Sequence, residues 1–197
     1  MRLQYRLLRI VALTSIIFTL FSCSNKITRE KAKDLIIKKF NFPITVTEKL
    51  DYGTVNYMNG GGTNLTAENK LIEEKLMTFK SLGQKRDMFF TYTSYFLDLT
   101  PEGMKFKIGE TTDYAGTRFY EMKVAEKIFL EITGIIEIND GKAARIDYNW
   151  RYANITPFGE AFSLRNQQIN EVVYNGGKVY SEQVMMIKYD DGWRIQE

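Results

Sequence analysis
The apolar positions of "TREKAKDLIIKKFNFP", Thr28 to Pro43, recur at helical spacing: Ala32, Leu35, Ile36, Lys39 and Phe40 form one stripe, and the stem of its one polar member can lie along an apolar surface. Thr28 is placed to cap this helix, Glu30 suits its positive end, and Lys38 and Lys39 suit its negative end. Asn41 to Pro43 stops it. "ITVTEKLDYG" then alternates as a strand does, and "NGGGTN" reads as a loop. No Lys-Ser/Thr pair follows that glycine run, so it is not a phosphate cradle. The helical period returns after Thr66 in "AENKLIEEKLMTFKSLG", with Ile72, Leu76 and Phe79 on one face and Gly83 just past the end.

From Met88 onward the period changes to two. "MFFTYTSYFLDL", Met88 to Leu99, carries aromatics on both alternating faces: Phe89 and Tyr95 on one, Phe90, Tyr92 and Phe96 on the other. A strand covered on both sides explains this. So does a row of rings facing a ligand, with Tyr92 and Phe96 as its members. "FYEMKVAEKIFLEITGIIEI" alternates over a long stretch, placing Tyr120, Met122, Val124, Ile128, Leu130 and Ile132 on one face, with a bulge or bend at Gly134. Asn139-Asp140-Gly141 is a hairpin turn. The returning strand sends Ala144, Ile146, Tyr148, Trp150 and Tyr152 inward and Arg145, Asp147, Asn149 and Arg151 outward. "ITPFGEAFSL" reads as a connection, and the remainder as strands turned at Asn175-Gly176-Gly177 and Asp190-Asp191-Gly192. Helices followed by antiparallel strands make the fold class α+β, with N-terminal helices packed on a curved antiparallel sheet. The expected division is a helix-rich α/β subdomain over 28–115 and an antiparallel β subdomain over 116–197.

The first 22 residues obey a different logic. Arg2, Arg6 and Arg9 head the chain without an acid, and Ile10 to Phe21 is uncharged. That is the plan of an export signal. Twelve helical residues rise only about 18 Å, short of the roughly 30 Å hydrocarbon core. "LFSC", Leu20 to Cys23, resembles the lipobox of bacterial lipoproteins: Leu20 stands three positions before the cysteine and Ser22 just before it. The resemblance implies cleavage between Ser22 and Cys23 and a diacylglyceryl group on the sulfur of Cys23. Residues 1–22 are then the signal peptide and 23–27 the lipidated tether. Two or three acyl chains make an anchor that does not dissociate.

Cleavage also changes the charge. It removes three of the 27 basic residues and none of the 24 acids, so the mature chain is neutral. A nucleic-acid partner is not expected, because no concentrated basic patch remains. Residues 24–50 do hold seven bases against three acids, which suits either a solvated helix face or an anionic bilayer.

Candidate chemistry is sparse. The chain has no histidine, and lipidation takes its only thiol, so nucleophile–base pairs and imidazole metal sites are absent and no cofactor is implied. Glu73-Glu74 and Asp190-Asp191 read as solvated pairs rather than a glycosidase couple, and the calcium-loop pattern is missing around Asn139 and Asp140. Arg145, Arg151 and Arg165 suit either an anion clamp or pairing with Asp147 or Glu131. Three resemblances of pattern accompany this reading. Leu71 to Ile108, with its helix, hairpin and "LTPEG", is similar to the tail of a winged-helix unit. The hairpin rhythm ending in "KYDDGWRI" looks like exported proteins with cystatin-like or NTF2-like folds. The whole resembles the uncharacterised envelope lipoproteins of Bacteroidetes-type bacteria.

The function expected is therefore that of a non-catalytic cell-envelope lipoprotein. It is held on the outer or inner membrane through acylated Cys23 and binds another envelope protein or a small ligand. Tyr92, Phe96 and Trp150 are the candidate ligand-facing aromatics. Two alternatives stand beside it: a carboxylate-dependent hydrolase or lyase of envelope polysaccharide, and an inhibitor or immunity-like protein.

Overall fold
The computed structural model describes residues 26–58, 65–86, 91–114, 116–168 and 171–196. Ser22, Cys23, the glycine loop, Phe89 and Phe90 lie outside the described residues. The elements are α1 (Arg29–Phe40), β1 (Ile44–Asp51), β2 (Gly53–Met58), α2 (Thr66–Glu73), β3 (Met77–Arg86), β4 (Thr91–Leu99), a 3-10 turn (Gly103–Phe106), β5 (Lys107–Thr112), β6 (Arg118–Ile138), β7 (Ala143–Ala153), α3 (Pro157–Gln168), β8 (Val179–Tyr189) and β9 (Gly192–Ile195). The fold is α+β, built on a strongly curled antiparallel half-barrel.

The large sheet runs β1-β6-β7-β8-β9, and β5 also pairs with β6; β2, β4 and β3 form a second, three-stranded sheet. The boundary expected at 115/116 does not separate the sheets, because β1 and β5 pair with β6. β1 and β2 are one strand interrupted at Tyr52, and Gly53 has a φ of 81°, a conformation glycine adopts without a Cβ penalty. Across this junction Tyr52 stacks on Tyr120 with ring centroids 3.7 Å apart. Arg118 covers the outer face of Tyr52 at 4.5 Å, and Lys107 that of Tyr120 at 4.5 Å. The Tyr120 hydroxyl donates to Asp98 of β4 at 3.0 Å. Burial, followed by that carboxylate, pushes this phenol up to about 12.

Helix α1 forms as its pattern dictates. Thr28 Oγ1 accepts the Lys31 amide, and Asn41 closes the helix in the left-handed region. Its buried face, Ala32 and Ile36, meets the concave side of the large sheet, where Phe40 stacks on Tyr148.

The second helix is shorter than its period suggests. It ends at Glu73, because Lys75 turns left-handed (φ 59°) and the amides of Lys75 and Leu76 bond back to Ile72 and Leu71. Phe79 and Gly83 accordingly belong to strand β3, where pairing with β4 outweighs local helix propensity. Gly83 comes directly after the bulge residue Leu82.

Strand β6 departs from its expected alternation at three bulges. The extra residues are Val124 opposite β1 and Leu130 and Thr133 opposite β7. Each one reverses the inward and outward phase of the strand residues beyond it. Phe129 and Ile132 therefore lie opposite inward Trp150 and Tyr148, while Ile128 lies opposite outward Arg151 and Leu130 is exposed. The bulge expected at Gly134 is the third of these. Strand β7 keeps its pattern, with Ala144, Ile146, Tyr148, Trp150 and Tyr152 all buried.

The segment expected as a connection, "ITPFGEAFSL", is the start of helix α3. Thr156 Oγ1 accepts the Gly159 amide, Pro157 occupies the first helical turn, and Phe158 and Phe162 are fully buried. Burying each ring contributes about 2–3 kcal/mol. A Cβ on Gly159 would stand 2.2 Å from the carbonyl of Val124, so the bulge in β6 is where α3 docks. Val172 to Tyr174, expected as strand, lie in the irregular return from α3 to β8.

Candidate functional site
An open cleft of about 800 Å³ lies where the concave face of the large sheet meets the end of α3 and the 171–178 connection. Its floor is set by strand register. Trp150 and Tyr152 both point inward from β7, and Tyr180 of β8 sits directly opposite Trp150. The two rings stack at 4.4 Å with an interplanar angle of 11°. Tyr152 meets Trp150, Tyr174 and Tyr180 edge-on at 5.1, 5.2 and 5.5 Å. Lysines close the stack at both ends, Lys127 Nζ lying 4.4 Å over Trp150 and Lys178 Nζ 4.9 Å over Tyr180.

The wall opposite the sheet is the 171–175 segment, tied down by two buried polar residues of α3. Ser163 Oγ accepts the Tyr174 amide at 2.9 Å and donates to the Gly159 carbonyl at 2.7 Å. Asn166 Nδ2 donates to the Val172 carbonyl at 2.7 Å. The Tyr174 hydroxyl donates to Glu48 of β1, and burial followed by that carboxylate drives its titration above the ordinary tyrosine range. Two further polar atoms in the walls, Trp150 Nε1 and Asn166 Oδ1, are buried without a hydrogen-bond partner. A buried group left so costs about 1–3 kcal/mol, which a stable fold carries only at a few places.

Arg165, one turn before the end of α3, reaches towards Glu48 at 4.0 Å and lies over the Phe162 ring at 4.5 Å. Behind it, Glu68 of α2 is 6% exposed and Oε2 has no partner. Burial raises its carboxyl above the usual range, only partly opposed by its own backbone amide and by Arg165. Asp51 is raised by burial too, and the Tyr57 phenol by burial and then by the charge of Glu68. Neither Glu68, Asp51 nor Tyr57 lines the cleft.

The three candidate aromatics do not come together. Trp150 is in the cleft floor, whereas Tyr92 and Phe96 share one face of β4 in the three-stranded sheet, opposite Lys85 and Lys80 of β3. Phe96 is 42% exposed. The arginines separate likewise: Arg145 pairs with Asp147 two residues along its own strand at 3.4 Å, Arg151 donates to the Gly176 carbonyl at 3.1 Å, and Arg165 turns to Glu48. Glu73 is exposed, Glu74 pairs with Lys70 at 2.7 Å, and Asp191 pairs with Arg194. Among the described residues no group of acidic, cysteine or histidine side chains could hold a metal ion, and no helix is long and apolar enough to cross a membrane.

Tyr174, Asn166 and Ser163 are not legible as site residues in the sequence, because the helix carrying two of them reads there as a loop. The signal for it is Thr156-Pro157 with Glu160 after them, a capping residue before a first-turn proline. No family model, no characterised protein and no solved structure matches the chain.

Proposed function
We propose that this chain is a cell-envelope lipoprotein, anchored through acylated Cys23, that binds a small ligand in the aromatic cleft without transforming it. The observation that carries the reading is the concentration, in one concave site, of four rings, two lysines and two acids (Glu48 and Glu171). This is the make-up of a recognition site: apolar walls with a few placed polar groups. The faces of Trp150 and Tyr180 are already covered by each other and by lysine. Recognition therefore falls to the polar rim rather than to an open stacking platform. Within the α+β class we favour a cystatin-like or NTF2-like plan, supported by α1 lying in the curl of the sheet. The winged-helix resemblance over Leu71 to Ile108 is reduced to a helix beside a β3–β4 hairpin.

The test uses lipidated protein extracted from its native membrane. Native mass spectrometry should show an acylated N-terminus and a bound small molecule. The molecule should be lost in the Lys127→Ala/Tyr180→Ala variant, and Cys23→Ala should release the protein from membranes and abolish fatty-acid labelling. Unchanged partitioning of Cys23→Ala sinks the anchor; a cleft empty in wild type, or a ligand indifferent to the double substitution, sinks the binding role.

A hydrolytic reading has one observation in its favour, the buried Glu68 with its raised carboxyl. Turnover of an envelope polysaccharide that disappears in Glu68→Gln would replace the binding reading with it.

A further inference from the structure
The convex face of the large sheet carries an apolar patch at the end from which the described chain emerges. Register builds it. Ile138, Ala143 and Ile187 lie side by side across β6, β7 and β8, and Ile136, Arg145 and Met185 form the next row. Tyr189 continues the same face of β8. Ile136 is 46% exposed, Ile138 37% and Tyr189 50%. The cations of this face are already neutralised: Arg145 by Asp147, and Arg194, which lies over the Tyr189 ring, by Asp191. The isoleucines and Tyr189 therefore stand among balanced ion pairs, without a surplus of either charge.

The N-terminal tether reaches the same end of the sheet from its inward face. Lys26 pairs with Glu137 at 3.4 Å, and Glu137, opposite inward Ala144, belongs to the same hairpin end but points to the other face of β6 from Ile136 and Ile138. Three residues later Arg29 donates to the Ile132 carbonyl of the same strand. Only three Cα–Cα steps separate Lys26 from Cys23, a reach of at most about 11 Å. If Cys23 carries the lipid, as the proposed function holds and on which this inference rests, the lipid-bearing residue lies within that distance of Lys26, at the hairpin end of the sheet.

We propose that the β6–β7 hairpin end of the half-barrel, through Ile136, Ile138 and Tyr189, seats on the lipid surface as a second contact beside the acyl anchor. The tether is too short to hold the domain clear of the headgroups. An apolar patch without net charge suits insertion into the interface rather than attraction to anionic lipid. The domain then has a fixed orientation, with the hairpin end against the membrane.

Acylation consumes the only native thiol, so a single new cysteine can be labelled selectively. Lipidated protein bearing Ile138→Cys, coupled to an environment-sensitive fluorophore, is placed in phosphatidylcholine vesicles containing a nitroxide-labelled acyl chain. Lys80→Cys on β3 is the comparison. The expected result is quenching several-fold stronger at position 138 than at 80, unaffected by high salt. In unlabelled protein, vesicles should protect the hairpin amides from hydrogen exchange, and Ile136→Ser/Ile138→Ser should remove that protection.

Acylated protein that is quenched equally at both positions, or at neither, overturns the docking while leaving the anchor intact. A label at 138 shielded from water but not reached by the quencher, with energy transfer between copies, also overturns it and identifies a protein contact. Absence of acyl groups on Cys23 overturns the reading beneath it.

Discussion
Glu68 is the residue whose environment conflicts most with its chemistry. It sits in the first turn of α2, where an acid favours the helix dipole, yet burial dominates and its carboxyl is raised. A carboxyl raised in the folded state lends its full stability below the unfolded value near 4.3 and loses it as pH climbs through the folded value. Glu68→Gln removes that loss. Urea unfolding should therefore show the variant at least as stable as wild type at pH 7.5, with the difference shrinking at pH 4. A variant less stable at neutral pH, by a margin that narrows on acidification, would show that the negative charge itself is needed beside Arg165. Gly159 and Val124 make the complementary point about space: a residue without a side chain is required where helix backbone meets a bulged strand.

At the scale of elements, endings and bulges matter more than propensities. The chain from Thr66 to Gly83 has helical period throughout, yet Lys75 in the left-handed region ends α2 and frees Met77–Arg86 to pair with β4. Glycine adopts that conformation without the strain a Cβ brings. Lys75→Gly should stabilise the protein by up to about 1 kcal/mol, read from the midpoint of chemical unfolding. A loss instead would mean that the lysine side chain contributes more than its backbone costs. In β6, three inserted residues turn one 21-residue strand into segments of alternating phase, so a face read by simple parity holds up to the first bulge, fails at Ile128 and Leu130, and holds again at Ile132.

For the whole molecule, the two sheets share one core. Leu71, Leu76, Leu97 and Leu99 from the smaller sheet and its helix join Met122, Ile146, Phe158 and Phe162 in a single buried cluster. Gly53 and the Tyr52–Tyr120 stack join the sheets at the β1–β2 junction. Unfolding should be one cooperative transition, with tryptophan fluorescence from the large sheet and hydrogen exchange in β3 and β4 reporting the same free energy. Separate transitions would mark the two sheets as independent units.

Local pattern alone determined α1 with its caps, the inward and outward sets of β7, the Asn139-Asp140-Gly141 turn and the α+β class, because each rests on contacts close in sequence or on strict alternation. The proposal of a signal and lipobox rests on local pattern as well. Tertiary structure decided where α2 stops, that Thr156 begins a helix, and which face of β6 is buried beyond Val124. It also decided that Trp150 belongs with Tyr174, Tyr180 and Asn166 rather than with Tyr92 and Phe96. Those outcomes depend on strand register and on helix–sheet docking between residues far apart in the chain. No local period encodes the bulges that set that register.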